Sequence, residues 1–184
     1  MAEEDRIEVA VIDKIVYVKP VGCATQDNCL GLPHFLTTMY RQGCLGVTFD
    51  LKDCHGIDST FLGVIATAAI SQGGRGRKRV VVLNADERVK HELSMVGLMS
   101  VVAVKAEAVE PPEGLKLKHV DFVHFPANER KRIEMIRDLH QEMVKMNEKN
   151  RELFSSFVEM LNEELLQEDG AEDSEGGNEV RDVQ

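Results

Sequence analysis

The chain has 184 residues, enough for one compact domain and an extension, and 43% of them are hydrophobic, so a buried core can form. A net charge of −10, the absence of tryptophan and an aromatic content of 5% exclude a basic, base-stacking surface, so nucleic acid is not an expected partner. The opening Met-Ala-Glu-Glu-Asp-Arg lacks a signal pattern and no apolar run is long enough to span a bilayer, so a cytoplasmic protein without a membrane partner is expected, its four cysteines (Cys23, Cys29, Cys44, Cys54) reduced.

In chain order, Arg6–Ile12 and Ile15–Val18 alternate as two strands around a tight turn at Asp13-Lys14, and Pro20 ends the second or places it at an edge. Asn28–Arg41 carries Leu32, Phe35, Leu36 and Met39 on one helical face and stops at Gly43. Gly46–Leu51 is a third strand. Thr60–Ile70 is a helix with Phe61, Val64, Ile65 and Ala68 on one face. After the break at Gly73-Gly74-Arg75-Gly76, Arg79–Leu83 is a short β-branched run fit for a central strand. Glu87–Val96 is a helix capped by Gly97, and Val101–Val104 returns as a strand. The order β-β-α-β-α-β-α-β requires crossovers. The predicted fold is therefore α/β, a mixed central sheet, partly parallel and covered by helices. Pro111-Pro112 and Pro126 mark a linker around the apolar run Val120–Phe125.

From Asn128 to about Gln167 the pattern changes. Ile136, Leu139, Met143, Met146, Asn150, Leu153, Phe157 and Met160 step by three and four, a heptad seam along a long amphipathic helix. It predicts either a homodimeric coiled coil, with Asn150 fixing the register, or a helix folded back on its own sheet; the sustained period favours self-association. Residues 168–184 hold seven acidic residues against Arg181 alone and form a Gly-rich tail expected to be disordered.

The chemistry concentrates in residues 47–65. An alternating run (Val47, Phe49, Leu51) ends in a polar loop that delivers Asp58-Ser59-Thr60 to the start of an apolar helix. A hydroxyl at a helix entrance is ordinarily a cap. If exposed there, it is also a favourable place for a phosphate, because free N–H groups and the helix dipole favour negative charge. Asp58 either caps the helix or orients the Ser59 hydroxyl, and Thr60 offers a second hydroxyl. Cys54-His55 is not expected to be a catalytic pair, because adjacent side chains on extended backbone point apart. No metal-ligand spacing is present, and Gly73–Arg79 lacks the order and the Lys-Ser/Thr of a phosphate-binding loop. No cofactor, metal or enzymatic activity is expected.

Three pieces in the right order carry a family resemblance: Val47–Leu51 followed by Ile57-Asp58-Ser59-Thr60-Phe61-Leu62-Gly63-Val64; Arg79-Val80-Val81-Val82-Leu83-Asn84; and Val89-Lys90-His91-Glu92-Leu93-Ser94-Met95-Val96-Gly97-Leu98. Together they resemble the STAS domain of bacterial anti-sigma factor antagonists, which would occupy residues 6–125. The resemblance implies a cytoplasmic, non-enzymatic regulator of transcription that works by partner switching. Unmodified, it binds an anti-sigma factor that is also a serine kinase. It lets go when Ser59 is phosphorylated, and a serine phosphatase restores it. Asp58, Ser59, Thr60, Phe61 and Leu62 would form the partner-binding segment. Phe61 stands where the family usually has glycine, so it either turns into the core or offers the partner an apolar anchor. The alternative is a non-phosphorylated STAS scaffold subunit of a signalling or transporter assembly. The long helix at 128–167 and the tail at 168–184 lie outside the resemblance.

Overall fold

The computed structural model describes residues 4–72, 79–120, 122, 126 and 128–175. Strands β1 (Arg6–Ile12) and β2 (Ile15–Ala24) form an antiparallel hairpin, and its turn residues Asp13 and Lys14 both take positive φ (51° and 63°). Two left-handed residues match the turn to the right-handed twist of the strands. Of the two roles open to Pro20, ending β2 or lying at an edge, it does not take the first. β2 runs on to Ala24, because Pro20 falls in a gap. β3 (Gly46–Asp50) pairs with β2 only along Ile15–Val18, and β4 (Cys54–Ile57) pairs with it only from Gly22. A proline lacks the N–H that a continuous ladder would need, and here no strand asks for it on that side.

Beyond β3 come β5 (Val80–Leu83) and β6 (Ala103–Val104), each parallel to its neighbour, while β7 (Lys118–His119) pairs antiparallel with β1 on the far edge. Among the described residues the order is β6-β5-β3-β2-β1-β7, with β4 alongside β2. This is the mixed α/β sheet the sequence predicts; β4 is an addition, formed where only a loop was expected.

The predicted helix at Asn28–Arg41 is two pieces, α1 (Gln26–Cys29) and α2 (Leu32–Arg41), with Pro33 in the first turn of α2. Thr25 and Asn28 form a capping box on α1, satisfying donors that a single longer helix would not have freed. α3 (Ser59–Gln72) follows β4, and α4 (Glu87–Met95) follows β5, capped by Asp86 at its start and by Gly97 in the left-handed region (φ 75°) at its end. Strand β3 is buried along its whole length. Phe49 on it meets Phe61 of α3 edge to face, with ring centroids 5.9 Å apart. Residues 73–78, and most of the apolar run at 120–125, lie outside the described residues, but Phe122 is buried against Phe35 (5.9 Å).

The heptad seam is not one helix. It is a hairpin of α5 (Glu129–Met146) and α6 (Glu148–Glu175) that folds back on its own domain. The elbow is Asn147, in extended conformation (φ −164°), whose side chain accepts from Asn150 N at 2.9 Å and so caps α6. Asn150 fixes the fold of this chain rather than the register of a dimer. It is 0% exposed, and its amide donates to Val96 O and Met143 O, both at 3.0 Å. Ile136, Leu139 and Met143 are buried within the chain, whereas Leu153 and Met160 face outward. α6 also takes up the first part of the acidic segment, as far as Glu175; residues 176–184 lie outside the described residues.

Asn150→Ala should cost about 1–3 kcal/mol, because it removes the hydrogen bond to Met143 O and the shorter of the two at Val96 O, where Asn147 Nδ2 remains, and opens a small cavity; urea unfolding of the variant against wild type measures it.

Candidate functional site

The site is built from the end of β4 and the entrance of α3. Asp58 Oδ1 accepts from Phe61 N at 2.8 Å, the N-cap bond of α3, and Oδ2 accepts from Gln26 N at 2.8 Å, at the entrance of α1. The Asp58 N–H donates to Ala24 O. One carboxylate thus starts two helices and ties them to the end of β2. Asp58 is the cap; it does not orient the serine hydroxyl.

Ser59 is half-buried and Thr60 is 3% exposed, so of the two adjacent hydroxyls only Ser59 stands at the boundary of the fold. Phe61 is fully buried against Phe49, and Leu62 is 6% exposed. Of the five residues expected to meet a partner, Thr60, Phe61 and Leu62 are therefore internal. Phe61 has taken the core alternative and offers no anchor outside. Asp58 and Ser59 remain at the site.

The Ser59 hydroxyl has a partner that motif reading does not find. His140 Nε2 of α5 lies 2.9 Å from Ser59 Oγ, and Nδ1 of the same ring lies 2.8 Å from Ile136 O. A carbonyl can only accept, so Nδ1 carries the hydrogen and, in the neutral ring, Nε2 accepts the proton of Ser59. His140 is 1% exposed and boxed by Phe154 and Phe157, whose centroids are 5.5 and 4.7 Å from its own, at near-perpendicular tilts. Burial pulls its pKa below the ordinary 6.5; the Ile136 carbonyl and the Asp58 carboxylate oppose that shift without cancelling it. The available signal for His140 was its spacing, four residues after Ile136 and three before Met143, which puts it on the buried face of α5.

One turn further along α3, Gly63 lets α5 come in. A Cβ there would lie 2.9 Å from Leu139 Cβ and 3.2 Å from Leu139 O. Elsewhere the contact is looser. A cavity of about 290 Å³ lies beside Thr67, Pro33, Met135 and Leu139, and one of about 570 Å³ lies where Ile70 and Met99 face Met146 at the elbow. The Thr67 hydroxyl has no hydrogen-bond partner there.

The remaining candidates carry no reaction chemistry. The Cys54 thiol is buried and donates to Gly56 O, and burial pushes its pKa up, away from the thiolate a nucleophile needs; His55 faces solvent. Burial pushes Cys29 up further. Among the described residues, no cluster of histidine, cysteine and carboxylate side chains could hold a metal ion, and no helix is long and apolar enough to cross a membrane.

No protein-family model and no curated protein matches the chain. Solved structures similar to it include TM1081 of Thermotoga maritima, described as a candidate anti-sigma factor antagonist, at 22% identity and a TM-score of 0.47, covering 53% of this chain and 84% of that one. An NMR structure of TM1081 gives the same identity and TM-score. Another is the anti-sigma factor antagonist SpoIIAA in its unphosphorylated form, at 13% identity and a TM-score of 0.46, covering 57% of this chain and 90% of that one.

Two measurements test this geometry. Asp58→Ala should destabilise the protein by about 1–2 kcal/mol through lost helix capping, read by urea unfolding. The second concerns pH. The folded state holds His140 neutral, with its pKa below 6.5, so the unfolded chain takes up the proton first as pH falls. The contribution of His140 is therefore complete above about pH 6.5 and shrinks below it. The stability difference between wild type and His140→Gln should be constant at neutral pH and narrow on acidification, and the imidazole of His140, followed by NMR, should titrate below 6.5.

Proposed function

We propose that this chain is a regulatory binding protein of the anti-sigma factor antagonist type, with Ser59 as its switch residue. Unmodified, it binds an anti-sigma factor that is a serine kinase. On modification the Ser59 oxygen bonds to the γ-phosphorus of ATP, the bond to the bridging oxygen breaks, ADP leaves, and the hydroxyl proton passes to a base. The phosphorylated form releases its partner, and a serine phosphatase regenerates the hydroxyl. The observation that carries this reading is the placement of Ser59. It is the first residue of α3, next to a carboxylate already committed to capping, and it is the one hydroxyl of its pair that is not sealed in the core. A phosphate adds about −1.5 to −2 charges at neutral pH, tolerable at its own helix start and costly inside an interface formed around a neutral hydroxyl.

A second reading is a STAS scaffold that is never phosphorylated, docked in a signalling or transporter assembly. The hydrogen bond from Ser59 to His140 favours it, since that hydroxyl is already occupied. In both readings the exposed Leu153 and Met160, one heptad apart on α6, are the part of the seam open to a second copy.

Capture of partners from the native host distinguishes the two. A serine-kinase anti-sigma factor retained by wild type and Ser59→Ala but lost at least about tenfold by Ser59→Asp, with phosphoserine found at position 59 by mass spectrometry, is the expected result. Equal capture by all three proteins, with no modified serine, would establish the scaffold instead.

A further inference from the structure

We infer that the α5–α6 hairpin is an internal occupant of the Ser59 face of α3, and that a phosphate on Ser59 evicts it. The inference rests on Ser59 being the modified residue, as proposed above, and adds what the modification does within the chain itself.

Space is the first constraint. The gap between Ser59 Oγ and His140 Nε2 is 2.9 Å, a hydrogen bond and nothing more. A phosphoryl group would put a phosphorus and three oxygens into that gap. The ring cannot simply step aside, because its other nitrogen is bonded to Ile136 O and Phe154 and Phe157 close round it. Charge points the same way. The hydroxyl meets the His140 imidazole from α5, with two phenyl rings behind it on α6, and the neighbouring Asp58 carboxylate is committed to the Phe61 and Gln26 N–H groups. Arg132, two turns earlier on α5, is paired with Asp27 at 2.8 Å. To answer a doubly charged group here, His140 would have to take up a proton inside its aromatic box, at a cost in burying charge.

The cover is also built to leave. α5 approaches α3 closely where Leu139 covers Gly63 and His140 covers Ser59, and two cavities lie beside the contact further along. Opening bares Ala66 beside Ser59 and Gly63 on the covered face, but α3 keeps its place because its packing on the sheet is carried by Phe61, Val64 and Ile65 on its other side. Modification and opening are thus coupled. The serine is reached in the open state, and the phosphate then holds that state open.

The test uses the full chain with phosphoserine installed at position 59 by genetic encoding, so that no kinase is needed, compared with unmodified protein by hydrogen–deuterium exchange. The amides of α5 should exchange at least about tenfold faster in the phosphorylated protein, with β3 and β5 as protected as before. Gly63→Val, which wedges α5 off without touching serine or histidine, should produce the same pattern. Unchanged or increased protection of α5 with the phosphate in place would overturn the inference, as would loss of protection in β3 and β5, since that is unfolding rather than release. Failure of the functional reading looks different: position 59 would carry no phosphate in the native host, while encoded phosphoserine would still free α5.

Discussion

Helix α3 is apolar nearly all the way round, and everything at the site follows from the need to cover it twice. Phe61, Val64, Ile65 and Ala68 are buried, and so are Leu62, Ala66 and Ala69 on the remaining sides. Covered by the sheet alone, such a helix would leave an apolar face in water, so a second cover stabilises it. The sheet takes one side through Phe49, and the hairpin takes the opposite one through Leu139. Gly63 sets how closely the second cover approaches. The position of His140 over Ser59 is then a consequence of packing, since Leu139 and His140 are neighbours on the same turn.

The same constraint shows what was legible in the sequence. The sheet was, because its signals are local: the Asp13-Lys14 turn, the β-branched runs at 47–51 and 80–83, and the glycine at 97. Two signals misled. Pro20 reads as a strand end or an edge, and only the offset between the β3 and β4 pairings explains why an inner strand passes through it. The seam after Asn128 has an unbroken period without proline or glycine, so nothing in it announces the elbow. Asn147 breaks the helix by extending its own backbone and capping the next one, a role asparagine performs with no change in the hydrophobic period.

Within the site, Asp58 and Ser59 were legible as a helix entrance, and the cap was one of two roles open to Asp58. For Phe61 the core was one of two roles open to it, and Phe49 of β3 settles it; the burial of Thr60 and Leu62 was not legible. Nor was the place of His140 at the site. A histidine on an apolar stripe is read as a core residue, and here it is one; what gives it meaning is the hydroxyl brought under it by the fold.

The anchorage of the elbow governs how any visitor competes for the covered face. Asn150 and Asn147 fasten the turn to the Val96 carbonyl, well away from Ser59. A hairpin that lifts at its His140 end therefore stays leashed, at an effective concentration on the order of millimolar. A second molecule present at about a micromolar level would have to bind the bare helix roughly a thousandfold more tightly than the hairpin does to displace half of it, a handicap of about 4 kcal/mol. Shortening or loosening that leash would change the threshold for every competitor at once without altering a single atom of the surface they share.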